Sequence, residues 1–452
     1  FLVESTKGRQ TPPRDSDEES TEQKVREVTA LNRKNGNKIW QKTVDLTDCY
    51  GGINWKSLGS IYKNEVLLLF GVYANGHYWD EFASEKLSSR RIIALNAADG
   101  GMKWSKRIGY RVRPLVVEDT LHAEPWAYNL YTGEQKTRIH PTTGSPAHWQ
   151  YARPGHHCGP PAASRHLLVF RSACLGYYDL RKDVGTMHFG SLRPGCWIHF
   201  IPANGLLIVP EASSGCMCPY PNQTTVVFQH RERDRAWGWF SQPGPKKPVR
   251  SLRIHFGAPG DRRDRKGNLW MGYPRPRGAG PLLFDYPLEL SHYGDAKYVP
   301  RRQNNPHPRG HPRQVSRFEL GPYVRQDQNM ATVRGTTKPW VFRSGIRGLK
   351  HCEIPLREKD SDTARYTVRL AFVDQGASEH GPATVNIQLQ GERRTKGLDA
   401  RKQAGASRKA LTLAFTNIRV KSNLDISLFP ATENTEPGEM PLLCGLEIVR
   451  KE

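Results

Sequence analysis

The sequence predicts an all-β protein of two domains, and three observations carry that expectation. A hairpin motif recurs in the first half, strands of strict alternation fill the last quarter, and turn residues punctuate both. Gly 41 and Pro 33 are spread along all 452 residues, which favours short strands and turns over long helices. Hydrophobic residues make up 37% of the chain and aromatic residues 10%, so a chain of this length can bury substantial cores. The boundaries read as a flexible segment over 1–27, a repeat domain over 28–335 and a sandwich over 336–452.

Residues 1–27 are polar, with Arg14-Asp15-Ser16-Asp17-Glu18-Glu19-Ser20 at their centre; such a stretch buries too little apolar surface to order itself. The repeat begins next. Ala30-Leu31-Asn32, Gly36 and Trp40 recur as Ala94-Leu95-Asn96, Gly100 and Trp104. A weaker copy is Ala127-Tyr128-Asn129 with Gly133, and a fourth is Tyr177-Tyr178-Asp179-Leu180. Each copy reads as a strand, a tight Asn/Asp-Gly turn and a second strand, preceded by an apolar run such as Val66 to Val72.

This motif resembles the quinoprotein-like, or pyrroloquinoline-quinone-like, repeat of β-propellers. The resemblance implies a propeller of six to eight blades, its start open to truncation, with each Trp packed between blades. It does not imply the quinone: the calcium-coordinating acids and stacking Trp of such a site are not visible in the chain. Residues from about 277 to 335 read as loop, broken by Pro281, Pro287, Pro300, Pro306, Pro308 and Pro312. They are either a last blade with long insertions or a connection.

Beyond Lys338 the texture changes. Arg365 to Phe372, Val385 to Gln390, Leu411 to Phe415, Leu424 to Leu428 and Leu443 to Ile448 alternate with period two, the pattern of a β-sandwich. Their order resembles the malectin domain, a jelly-roll related to carbohydrate-binding modules, which implies glycan or partner binding. First and last strands of a jelly roll commonly pair, so the resemblance makes a Cys352–Cys444 disulfide an expectation, against two buried thiols.

The unusual chemistry is concentrated between 153 and 218. His156, His157 and Cys158 lie in one Gly/Pro-flanked loop, Arg193 and Cys196 in a second, and Cys216 and Cys218 in a third. Thiolate and imidazole are preferred zinc ligands, and turns let them converge. A structural zinc held by His157, Cys158, Cys196, Cys216 and Cys218 is therefore one reading; disulfides and buried thiols are the others. A second set, His156, Tyr177, His188, Arg193 and His199, supplies acid, base and cation types for β-elimination on a uronic-acid polymer. Packing roles in loops are the competing reading. Cys49 and Cys174 have no near partners in sequence.

The chain carries Lys+Arg 67 against Asp+Glu 44, a formal charge of +23. Such a field attracts polyanions, and basic residues are densest at Arg262–Lys266, Arg275–Arg277 and Arg301–Arg317. No nucleic-acid module accompanies them, so a specific nucleic-acid partner is not expected. No apolar stretch approaches the length of a membrane span. The chain opens at Phe1 and reads as a mature form or fragment; eight cysteines and one Asn222-Gln223-Thr224 sequon suit a periplasmic or extracellular bacterial protein. Walker, dinucleotide, hydrolase-elbow and haem motifs are missing. The leading expectation is an exported protein that binds carbohydrate or a cell-surface partner. A polysaccharide lyase on an anionic glycan is the alternative, and quinone-dependent oxidation ranks third; whether the chain is an enzyme stays open.

Overall fold

In the computed structural model, strand pairing provides almost all regular structure among the described residues. These are 1–5, 25–49, 57–72, 82–155, 158–189, 192, 194–195, 200–211, 224–230, 237–242, 247–275, 282–293, 301–306, 312–317, 322–325, 333–374, 384–432 and 440–451. They fall into two compact units: Phe1–Arg138 with His148–Glu232, and Ile139–Ala147 with Arg233–Glu452.

The first unit is a series of antiparallel sheets in chain order. Leu2–Ser5, Val25–Leu31 and Lys38–Asp45 form the first, and Ser57–Lys63, Val66–Val72, Arg91–Asn96 and Met102–Arg107 the second. Leu115–Val117, Thr120–Ala123 and Trp126–Asn129 form the third. The fourth runs from Ala162–Ser164 through Leu167–Ser172 and Cys174–Asp179 to Met187–Phe189, and the fifth holds Ile201–Ala203, Leu206–Val209 and Val226–Gln229. Successive sheets share cores. Leu67, Leu69, Ile93 and Leu95 pack with Val28 and Trp40 of the sheet before, while Val66, Leu68, Phe70 and Ile92 pack with Leu121 and Tyr128 of the sheet after. A strand covered on both faces needs apolar residues at every position, which is why Val66 to Phe70 is an unbroken run.

The repeated residues make a lock between neighbouring sheets. Asn32, Asn96 and Asn129 open equivalent turns: each carbonyl accepts from the glycine four residues on, at 2.8, 2.8 and 2.9 Å, and each side chain accepts from the amide two residues on. Gly36, Gly100 and Gly133 sit at φ +74°, +73° and +69°, where a side chain is strained. The Trp40 indole donates to the Ala97 carbonyl at 2.8 Å, and Trp104 donates to Leu130 at 2.9 Å. A Cβ on Gly100 would meet the Trp40 ring at 2.7 Å, and one on Gly133 the Trp104 ring at 2.8 Å. Glycine is thus required twice over, by backbone conformation and by the indole above it. The third turn carries Thr137 at the tryptophan position, and the motif fades there. Among the described residues the sheets do not close into a ring, so the expected six- to eight-bladed propeller is met as five stacked antiparallel sheets.

The second unit is a two-sheet sandwich. One sheet has the order Arg262–Arg263, Leu269–Tyr273, Ser251–Phe256, Leu442–Arg450, Ser344–Ile346, Tyr323–Arg325, with Ala364–Val373 joined to Leu442–Arg450 and Leu411–Val420 joined to Ala364–Val373. The other runs Glu289–His292, Leu349–Pro355, Asn423–Pro430, Val385–Leu389, Glu392–Leu398. Leu252, Ile254, Val368, Leu370, Leu446 and Ile448 of the first face Cys352, Ile354, Ile387, Leu389, Ile426 and Leu428 of the second in one core. Strands at 251–256, 269–273 and 289–292, assigned from sequence to the repeat domain, are sandwich strands. Their partners lie up to two hundred residues away, so no local signal marks them. Part of the expected loop after 277 is also strand, including a hairpin of Arg301–Pro306 with Pro312–Arg317.

The expected Cys352–Cys444 disulfide is not formed; both are free, buried thiols. They stand on different sheets and in different cores, Cys352 between the sheets and Cys444 with Trp270, Val341 and Leu442. The register slips where Ala371 faces Gly445 and Phe372 faces Leu443. This bulge leaves Cys444 out of the alternation that carries Leu443 and Leu446 inward. Burial pushes both thiols far above the ordinary range.

Two measurements check these contacts. Gly133→Ala is expected to cost about 1–3 kcal/mol in denaturant unfolding, and Trp104→Phe, which removes the donor and shrinks the buried ring, about 1–3 kcal/mol. Unfolding without reductant should expose Cys352 and Cys444 to alkylation; a disulfide-linked peptide pair would contradict the sandwich core described above.

Candidate functional site

A cleft of about 720 Å³ opens in the second unit, between residues 262–266 and 337–343. Six cationic side chains line it, Arg262, Arg263, Arg265, Lys266, Lys338 and Arg343, with one carboxylate, Asp264, and with Trp340.

The first wall is a hairpin. Arg262 and Arg263 pair with Trp270 and Leu269, and Leu269–Tyr273 runs parallel to Ser251–Phe256. Between them the chain turns tightly, with Gly267 at φ +80° and its amide donating to the Asp264 carbonyl at 2.9 Å. The Asp264 carboxylate closes that turn. It accepts from the amides of Lys266 and Asn268 at 3.0 Å each, from Asn268 Nδ2 at 3.1 Å and from Trp270 Nε1 at 3.2 Å. Burial pushes this carboxyl up, but the donors on Asn268, Trp270 and Lys266 outweigh it and hold the group below the usual carboxylate range. Arg265 and Lys266 are carried exposed at the tip.

The second wall is the 3-10 turn Pro339–Arg343, whose Val341 and Phe342 are buried with Trp270, Val373 and Leu442. In a three-residue period Trp340 and Arg343 fall on the same side. Ser344 fastens this turn: its hydroxyl donates to the Phe256 carbonyl at 2.8 Å and lies 2.8 Å from His255 Nε2. Burial drives the His255 imidazole down to about 3, so it stays neutral at ordinary pH.

The aromatic rings hold cations. Arg262, only 8% exposed, lies 4.8 Å from the Trp340 ring centroid and 5.4 Å from that of Trp237. Lys338 lies 4.8 Å from Trp270 and 4.0 Å from Asp264. Trp340 meets Trp237 and Trp270 edge-on at 5.7 and 5.9 Å. A cation–π contact in the desolvated position of Arg262 is worth about 2 kcal/mol and one at the part-exposed Lys338 about 0.5–1 kcal/mol, so Arg262 above all is held in place. Arg263 donates to the Gly267 carbonyl at 2.8 Å. Among the described residues, no hydrogen bond or ion pair engages the side chains of Arg265, Lys266 and Arg343.

The residues expected from sequence fare differently. His156, Arg193 and His199 of the acid–base set, and His157, Cys196, Cys216 and Cys218 of the metal set, lie outside the described residues. Cys158 is buried and not in a disulfide, and among the described residues no group of three metal-ligating side chains converges. Tyr177 and His188 are on adjacent strands but on opposite faces, because Tyr177 pairs with Met187 and Gly176 with His188. Tyr177 stacks on Phe189 at 5.0 Å; His188 Nε2 lies 2.8 Å from the Ser172 hydroxyl on the other side. Arg153 is buried against Glu124, at 2.6 Å. Arg275 is paired with the buried Asp261, at 2.8 Å. The density of charge at 262–266 was visible in the sequence; the opposing wall of Lys338, Trp340 and Arg343 carries no motif and was missed.

Neither a known protein family nor a curated protein matches the chain. Solved structures resemble parts of it. The β-glucuronidase 2 of Bacteroides uniformis shares 15% identity over 45% of this chain at a TM-score of 0.29, and the chain spans 18% of that enzyme. The ANXUR2 extracellular domain from Arabidopsis thaliana shares 11% identity over 44% of this chain and 48% of its own, at 0.29. The plant receptor-like kinase FER shares 14% over 54% of this chain and 64% of its own, at 0.28. No helix among the described residues is long and apolar enough to cross a membrane.

A pH profile tests the burial of His255. Its folded value of about 3 lies below the ordinary 6.5, so the unfolded chain takes up the proton first. Stability through this group is complete above about pH 6.5 and is lost progressively as pH falls towards 3. His255→Gln is expected to flatten that part of the unfolding curve relative to the parent.

Proposed function

We propose that the protein binds a carbohydrate chain or cell-surface partner through the cationic cleft of its second unit, and that it acts outside the cytoplasm as a binding protein. The cleft itself carries the reading. Its volume of about 720 Å³ is within the ordinary range for ligand pockets, and protein–protein interfaces are broader than this concavity. Its polar groups are set on a hairpin and a buried turn, a prearranged surface that lowers the entropy lost on binding.

Binding fits the chemistry better than turnover. A general acid or base needs a titratable group free to exchange its proton near working pH. The one carboxylate lining the cleft among the described residues is held below the usual carboxylate range by several donors, and the other ionisable side chains lining it are those of arginine and lysine. The lyase reading has less support, since Tyr177 and His188 face apart. The stacked sheets of the first unit we read as propeller-type repeats of the quinoprotein-like kind, and the sandwich as malectin-like. A structural zinc on His157, Cys158, Cys196, Cys216 and Cys218 remains part of this proposal. Elemental analysis of unchelated protein should give about one zinc per chain, lost on replacing Cys216 and Cys218; metal-free protein would remove it.

Affinity electrophoresis through gels containing polysaccharides checks the main proposal. Retardation of the parent protein is expected, with normal mobility restored in an Arg265→Glu, Arg343→Glu variant of unchanged melting temperature. Equal retardation of parent and variant would place the ligand elsewhere.

A further inference from the structure

The cleft divides its cations into two kinds. Arg262 and Lys338 are covered by indole faces and Arg263 is engaged by the Gly267 carbonyl and the Phe240 ring, whereas Arg265, Lys266 and Arg343 have no side-chain partner among the described residues. The indoles that would otherwise stack on a sugar ring or a base are occupied: Trp340 and Trp237 by Arg262, and Trp270 by Lys338. Single-stranded nucleic acid is held by aromatic platforms open to its bases, and a neutral glycan likewise needs an open ring face. What this cleft offers instead is charge in a fixed arrangement.

Asp264 makes the arrangement. As the only carboxylate lining the cleft among the described residues it lowers the net positive charge, and on a count of charge alone it opposes an anionic ligand. Its oxygens are nevertheless spent on Lys266 N, Asn268 N, Asn268 Nδ2 and Trp270 Nε1, the bonds that fold the turn bearing Arg265 and Lys266. Charge-assisted bonds of this kind are about twice as strong as neutral ones.

Building on the binding role given above, we propose that the cleft takes an acidic glycan, carboxylated or sulfated, read by charge rather than by ring stacking, with Asp264 as the positioning residue for the Arg265–Lys266 tip. Removing the one negative charge then weakens the binding of an anion.

The experiment measures dissociation constants against salt concentration for the intact chain and its Asp264→Asn variant. The probes are oligogalacturonate, its methyl ester, a sulfated oligosaccharide and single-stranded DNA. The parent is expected to bind oligogalacturonate or the sulfated sugar, or both, and to bind the methyl ester at least about tenfold more weakly. Asp264→Asn should lose about tenfold and show a shallower salt dependence, because displaced cations release fewer counterions; a variant that had merely lost folded protein would keep the slope. Asn268→Ala, which removes a donor from Asp264 without changing charge, should shift affinity in the same direction and serves if Asp264→Asn fails to fold. Tighter or equal binding by both variants overturns the positioning role. Equal binding of the acid and its methyl ester overturns the acidic class yet leaves carbohydrate binding standing. Binding of DNA alone overturns both.

Discussion

The pairing of Leu442–Arg450 on both its edges is the constraint on which the second unit depends. One edge carries Ser251–Phe256 along 445–449 and Ile346 at Leu443; the other carries Ala364–Val373. The two walls of the cleft are attached to that first edge. The hairpin of Arg262 and Arg263 continues from Ser251–Phe256 through Leu269–Tyr273, and the turn Pro339–Arg343 leads directly into Ser344–Ile346. Residues more than seventy positions apart in sequence line one cleft because a single strand is their shared neighbour. The Ser344 hydroxyl then joins the walls a second time, through Phe256 and His255.

In the first unit the corresponding role falls to an indole placed over a glycine. Hydrogen bond and packing act together there: the Nε1 donor fixes where the ring lies, and the missing Cβ admits it. Because each lock joins one sheet to the next, the sheets follow chain order, and the inner strand Val66–Val72 is apolar on both faces while outer strands such as Met102–Arg107 bury little besides the indole.

How much of this was legible depended on whether the signal was local. The Asn–Gly–Trp spacing was readable, since its residues lie within nine positions of each other, and the alternating strands after Lys338 were readable for the same reason. The segments at 251–256 and 269–273 fell within the expected repeat domain and were not read as members of the sandwich, because nothing in a short apolar run names its partner. For the site, the basic run at 262–266 showed in composition. Whether each cation faced outward did not: Arg275 has a buried Asp261 to meet, and Arg153 a buried Glu124, both distant in sequence. Tyr177 and His188 illustrate the parity of a strand. Their strands are neighbours, yet a register that pairs Tyr177 with Met187 sends the two side chains to opposite faces, and a list of residue types holds no register. The bulge at Phe372 does the same to Cys444, which lay on a foreseen strand yet is separated from Cys352.

The central position of Leu442–Arg450 also sets an order in time. During synthesis the hairpin at 262–266 and the turn at 339–343 leave the ribosome long before the strand that seats them both. Until it arrives, Ser251–Phe256 and Ala364–Val373 present unpaired edges with apolar faces, the condition in which strands find wrong partners. The cleft therefore cannot be seated before that strand is made, because both of its walls hang from it.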